Sequence, residues 1–112
     1  MSEPVAPDLD PVIHAQARLK VVATLASLGA GDRMSFPRLQ QVLAMTAGNL
    51  STHLRRLEEA AYVEVTKTHA GRTPVTYVEL TGDGRHAFDR YRRTLRALLG
   101  AAASEPQPTD AG

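Results

Sequence analysis

The sequence contains no cysteine. That excludes disulfides, thiolate zinc sites, thiol redox sensing and cysteine nucleophiles, and it suits a reducing compartment. Aromatic residues are scarce, the five being Phe36, Tyr62, Tyr77, Phe88 and Tyr91. Hydrophobic residues make up 43% of the 112, but alanine is prominent among them. Such a core is thin for the chain length, and oligomerisation would help to stabilise it. No apolar run approaches the roughly 20 residues that span a bilayer. No lysine or arginine precedes Arg18, so the basic start of a signal peptide is missing as well. The expectation is one soluble, cytoplasmic domain with no membrane partner.

Basic residues are also missing from both ends. Residues 1–11 and 101–112 carry acids only, whereas residues 12–100 hold all 13 bases against 7 acids, a net of +6. The formal net charge of +1 hides this unevenness. A basic middle between acidic ends points towards a polyanionic partner. The ends are proline-bearing (Pro4, Pro7, Pro106, Pro108) and too poor in apolar residues to offset chain entropy. We therefore expect disordered tails over 1–9 and 101–112 around a folded unit of 10–100.

Within that unit the apolar periodicity gives a succession of elements. Asp10-Pro11 has the form of an N-cap followed by proline in the first turn. It predicts a helix to about Leu28, closed by Gly29 and Gly31. Its apolar residues cover about two-thirds of the circumference, so it is buried on more than one side, the second cover being another copy of the chain. Ser35 caps a short second helix ending near Ala44, and Thr46 caps a third that runs to about Ala60. Leu50, Leu54 and Leu57 form one narrow stripe on the third. Two short helices with so brief a turn make a helix-turn-helix. The period then falls from 3.6 to 2 over residues 62–67 and 75–80, both rich in β-branched residues. This predicts a β-hairpin whose connection, His69 to Pro74, carries a basic tip. Thr81 caps a last helix to about Leu99, with Phe88, Tyr91, Leu95, Leu98 and Leu99 as one stripe. Arg85, Arg90, Arg93 and Arg96 form a solvated face of it.

These parts fit a single task. A helix held proud of a two-helix support can enter the major groove, and a basic hairpin beside it can reach flanking phosphates or the minor groove. With the leucine stripe turned inward, Gly48, Asn49, Ser51, Thr52, Arg55 and Arg56 face outward. Small residues allow close approach, asparagine can pair with adenine, and arginine with guanine or phosphate. Each also has an ordinary structural role open to it: Arg55 could pair with Glu59 at i,i+4, Arg72 could be a solubilising turn residue, and His69 reads as wing surface or phosphate contact. His53, at the edge of the stripe, reads as a packed, hydrogen-bonded histidine.

At this point the stretch TAGNLSTHLRRLEEAAYVEVTK, followed by GRTPVTYVELTGDGRHAF, resembles the small winged-helix transcriptional regulators of the MarR/ArsR-like kind. The resemblance covers about residues 12–99. Its most specific pieces are LSTHLRRLEEA (50–60), the turn around Gly71-Arg72, and LTGDGR (80–85). It implies a mainly α fold with a small β-hairpin, a winged helix-turn-helix that dimerises through its first and last helices, residues 12–28 and 84–99. It further implies sequence-specific binding of double-stranded DNA by a homodimeric repressor, with recognition helix 47–60 in the major groove and wing 68–74 on the flanking backbone or minor groove. The matching positions are Asn49, Ser51, Thr52 and Arg55 on the helix and Arg72 at the wing tip; Arg56 is added from its outward placement. One departure stands out: Ala61 occupies a position where the family usually has glycine. A left-handed alanine there would cost about 1 kcal/mol.

Other function classes fare worse. Ser51 and His53, two apart on a helix, point to different faces and cannot form a nucleophile–base pair. No glycine-rich phosphate loop or paired acids appear, so no enzyme activity, catalytic residue or cofactor is expected. Asp83, His86 and Asp89 read as surface polar residues rather than a metal site, and nothing marks a small-molecule effector. The alternative is a winged-helix protein-interaction module that ignores DNA. Salt discriminates the two, since DNA binding falls steeply between about 50 and 200 mM.

Overall fold

The structure, a computed structural model, describes residues 9–103; of the two expected tails, residues 1–8 and 104–112 lie outside the described residues. The elements in chain order are α1 (Gln16–Ala26), β1 (Arg33–Ser35), α2 (Phe36–Leu43), α3 (Ala47–Glu59), β2 (Val63–Ala70), β3 (Thr73–Leu80) and α4 (Gly82–Ala103).

The chain opens with a single turn rather than a long helix. Asp10 Oδ1 accepts from the Val12 N–H at 2.9 Å, and its carbonyl accepts from His14 N–H. Ala15 then takes an extended backbone (φ −87, ψ 129), so the predicted helix from Pro11 is broken and starts afresh at Gln16. The break lets Ile13 drop fully into the core and brings His14 Nδ1 to 3.0 Å from the Tyr91 hydroxyl. Arg18 Nε donates to the Val12 carbonyl at 2.6 Å and fixes the turn to α1. The helix ends at Ala26, ahead of both glycines. The carbonyls at and just beyond its end accept from Arg85 of α4, whose guanidinium donates to Leu28 and Gly29 at 3.0 Å and to Ala26 at 3.4 Å. A cation at the negative end of a helix is favourable. Arg85 is thus a tether between α4 and α1, not part of a solvated face.

α1 is buried through Val21, Val22 and Leu25, and it packs against α2, α3, α4 and β3. The second cover inferred for this helix is therefore supplied largely from within the chain. Leu39 of α2, Leu50, Leu54 and Leu57 of α3, Val63, Val78 and Leu80 of the sheet, and Ala87 and Tyr91 of α4 complete the core.

The sheet has three antiparallel strands in the order β1-β3-β2, one more than the hairpin expected. β1 pairs only Arg33, Met34 and Ser35 with Glu79, Val78 and Tyr77. Three residues are too few to show a period, which is why the sequence hides it. β2 and β3 stay in register out to Ala70↔Thr73, so His69 and Pro74 are ladder residues and the connection shrinks to Gly71-Arg72. Gly71 has φ +66 at the first central position of this two-residue turn, the conformation that matches the twist of a hairpin and that glycine adopts freely. Four helices with this sheet form a winged helix-turn-helix.

Candidate nucleic-acid interface

Local chemistry fixes the position of α3 at both ends. Thr46 Oγ1 accepts from the Asn49 N–H at 3.1 Å, the N-cap that the sequence predicts. At the other end Ala61 turns left-handed (φ 66), and the Ala61 and Tyr62 N–H groups return to the Glu58 and Leu57 carbonyls, both at 2.9 Å. That is the Schellman closure, here made by alanine at a cost of about 1 kcal/mol relative to glycine. Ala44 (φ 54) closes α2 in the same way, with Met45 N–H on the Gln40 carbonyl. The brief turn between the two helices follows from that closure.

A second set of bonds holds α3 against α4. The Tyr62 carbonyl accepts from Thr81 N–H at 3.0 Å, Thr81 Oγ1 donates to the Ala61 carbonyl at 2.7 Å, and the same oxygen accepts from Gly84 N–H at 2.9 Å. Gly84 is required here: a Cβ at that position would lie 2.2 Å from the Tyr62 carbonyl oxygen. The Tyr62 hydroxyl donates to Asp10 Oδ2 at 2.5 Å. That hydrogen bond to a carboxylate, followed by partial burial, pushes the phenol above its ordinary value.

With Leu50, Leu54 and Leu57 at most 4% exposed, the opposite side of α3 is open. Asn49, Ser51, Thr52, Arg55 and Arg56 are all exposed, spread over an arc of about 160° at 100° per residue. Arg72 is exposed at the tip of the hairpin. Among the described residues the side chains of Arg55, Arg56 and Arg72 make no hydrogen bond or ion pair, so the pairing of Arg55 with Glu59 is not formed. Thr52 Oγ1 donates to the Gly48 carbonyl at 3.0 Å. Its proton is committed, and the oxygen and methyl that remain can accept from a base amino group or meet a thymine methyl. His53 is half-buried as expected, but its Nδ1 is buried without a protein hydrogen-bond partner.

The face is divided. Ser51 and Arg55 line a cleft of about 340 Å³ that α3 shares with Lys67 and Thr76 of the hairpin. Asn49 and Arg56 lie round the helix, away from that cleft. Lys67 is the interface candidate that the sequence reading passes over, because only strand register tells which way a lysine in an alternating strand points. Asp83, His86 and Asp89 are exposed on α4, and Asp89 lies 3.9 Å from Arg92.

The model of the winged helix DNA-binding domain family matches residues 17–99. The chain belongs to that family. It is similar to an uncharacterized protein of Methanocaldococcus jannaschii, 34% identical over 80 residues, which are 71% of this chain and 84% of that protein. Among solved structures it is similar to a transcriptional regulator homologue from Pyrococcus horikoshii OT3, with 31% identity and a TM-score of 0.74. That match covers 81% of this chain and 87% of the other. A MarR-family transcriptional regulator from Silicibacter pomeroyi shares the fold at 22% identity and a TM-score of 0.60, over 87% of this chain and 62% of its own. The expected resemblance to winged-helix regulators is thereby upheld, the likeness to the MarR-family protein being one of fold, and the chain is a winged-helix DNA-binding domain that resembles transcriptional regulators. Among the described residues no helix is long and apolar enough to cross a membrane.

Proposed function

We propose that this chain is a homodimeric, sequence-specific regulator that reads double-stranded DNA with residues 47–60 in the major groove and steadies itself with wing 68–74 on the flanking backbone or minor groove. The observation that carries the reading is the outer side of α3, where Asn49, Ser51, Thr52, Arg55 and Arg56 are exposed and both arginine side chains are unpaired, beside a hairpin tipped by an unpaired Arg72. Asn49, Ser51, Thr52 and Arg55 are the base readers, whereas Arg56 and Arg72 hold phosphate. Repression is the mode that asks least of the protein, because occupying a promoter needs nothing beyond binding.

Support for the dimer comes from α4. At 22 residues it is about 33 Å long, twice the length of α1. Its apolar stripe runs on past its cover, from Tyr91 at 4% exposed to Leu99 at 62%. Ala23 on α1 is exposed beside it. Two copies joined through residues 12–28 and 84–99 would cover these and set two α3 helices about a twofold axis, reading half-sites about 34 Å apart.

The test is a pair of substitutions on a selected operator. Arg55→Ala should cost about 1–3 kcal/mol and relax preference at one base position, whereas Arg72→Ala should weaken all sequences alike and lower the salt slope by about 1. Equal losses on every sequence from both would refute the division of roles.

A further inference from the structure

The hairpin is supported unevenly along its length. β1 pairs only at Arg33↔Glu79, Met34↔Val78 and Ser35↔Tyr77, so the sheet has three strands as far as Tyr77 and two beyond it. Four more rungs, from Lys67↔Thr76 to Ala70↔Thr73, carry β2 and β3 on towards Arg72 without a third strand. At about 3.4 Å per residue this overhang is roughly 14 Å long. A two-stranded ribbon twists more than a wider sheet, so the direction of its tip is set where the third strand stops.

Residues opposite one another in a ladder share a face, and the faces alternate along each strand. Val63, Val78 and Leu80 are buried on the core side, which leaves Arg33, Ser35, Glu64, Thr66, Tyr77 and Glu79 on the outer face. There the exposed Arg33 brings its guanidinium to 4.1 Å from the centre of the Tyr77 ring, a cation–π contact. Arg33 makes no ion pair among the described residues, although Glu79 is its partner across the ladder. The contact is diagonal, and it lands on the last residue of β3 that β1 supports.

Arg33 is itself held from α4. The Gly29 carbonyl accepts from Arg85 Nη2 at 3.0 Å and from the Asp32 N–H at 2.9 Å, while Asp32 Oδ2 accepts from the Gly29 N–H at 3.0 Å. Gly31 turns this loop with φ +86, and Arg33 begins β1 two residues later. The loop closed by Arg85 therefore fixes where β1 starts.

We propose that Arg33 and Tyr77 are positioning residues for the wing: their contact sets the angle at which the overhanging hairpin presents Arg72, and Arg85 refers that angle to α4. This rests on the regulator reading above and adds to it the device that aims the wing. Neither Arg33 nor Tyr77 meets DNA in this arrangement.

The experiment uses the full chain and a selected operator duplex, titrated between about 50 and 200 mM salt. Tyr77→Leu removes the ring without changing the charge. It should weaken binding roughly 3- to 8-fold at 0.1 M salt and lower the slope of log K against log salt by up to about 0.9, the share of one phosphate contact. Arg33→Ala should match it, whereas Tyr77→Phe, which keeps the ring, should bind as the wild type does. In an Arg72→Ala background neither Tyr77→Leu nor Arg33→Ala should cost anything further, because the contact they aim is already gone. A merely structural role would not produce that non-additivity, and thermal unfolding of each variant separates a folding defect from a misdirected wing. Losses that add to that of Arg72→Ala would overturn the proposal, as would Tyr77→Leu with wild-type affinity and slope; both leave the regulator reading standing. Wild-type protein that binds no duplex at about 50 mM would take down the regulator reading and this proposal with it.

Discussion

α3 and α4 start alike and end differently. Each opens on a threonine whose hydroxyl accepts from a backbone N–H three residues on, Thr46 for Asn49 and Thr81 for Gly84. Each then carries an apolar stripe at spacings of three and four. On α3 the stripe is completed inside the chain, with all three leucines buried, and a left-handed residue ends the helix at once. On α4 the stripe begins buried at Ala87 and Tyr91 and ends with Leu99 mostly in solvent. A helix whose apolar side is fully used can devote its other side to a ligand. One whose apolar side is unfinished calls for a second surface. On the proposed reading, α3 takes the DNA and α4 the second copy.

That contrast can be broken most severely where the two helices join. Gly84→Ala would force the start of α4 away from the Tyr62 carbonyl and disrupt the Thr81 bond to it, costing roughly 3 kcal/mol, the upper end of overpacking penalties. Thermal unfolding would show it, and a small change in Tm would mean that the junction is looser than described. Tyr62→Phe acts at the same junction by cutting the tie to Asp10. A hydrogen bond to a carboxylate contributes about 1.5–3 kcal/mol. Because the phenol is raised in the folded state, that stabilisation is intact below about pH 10 and is lost as pH climbs through the elevated value. Denaturant titrations at pH 8 and in the alkaline range should show the wild type losing stability faster than Tyr62→Phe.

Two further changes separate the functions of the helices. Leu99→Asp should leave the core intact and weaken self-association by about 1–2 kcal/mol, read as a roughly tenfold rise in the monomer–dimer constant by sedimentation. An unaltered constant would remove α4 from the interface. Gly48→Ala has the smallest expected effect on folding: a Cβ there meets nothing within 4 Å, and alanine should stabilise α3 by about 0.5–1 kcal/mol. The added methyl sits in the middle of the arc assigned to DNA, so affinity should fall while Tm rises. Both rising together would place DNA elsewhere.

Much of this was legible from local chemistry. The caps at Ser35, Thr46 and Thr81 could be placed from residue type, and the structure shows each accepting its backbone N–H. The leucine stripe of α3 and the switch to period 2 placed that helix and the hairpin. What escaped depends on distant parts of the chain. Arg85 closes carbonyls 56 to 59 residues away, β1 exists only because β3 offers it an edge, and the direction of Lys67 needs the register of its partner strand. The opening was misjudged because Asp10-Pro11 signals a helix start faithfully, whereas tertiary contacts of Ile13 and His14 stop that helix after one turn. α4 runs a few residues past the expected end near Leu99, through Gly100 to Ala103.

The central claim, that α3 and the wing read a duplex as a symmetric pair, is tested most directly by selecting binders from a random duplex library and titrating the winners at about 50 and 200 mM salt. The account predicts a pseudo-palindromic motif, half-sites about one helical turn apart, and affinity that falls steeply with salt. A single asymmetric half-site, or no enrichment at 50 mM, would contradict it.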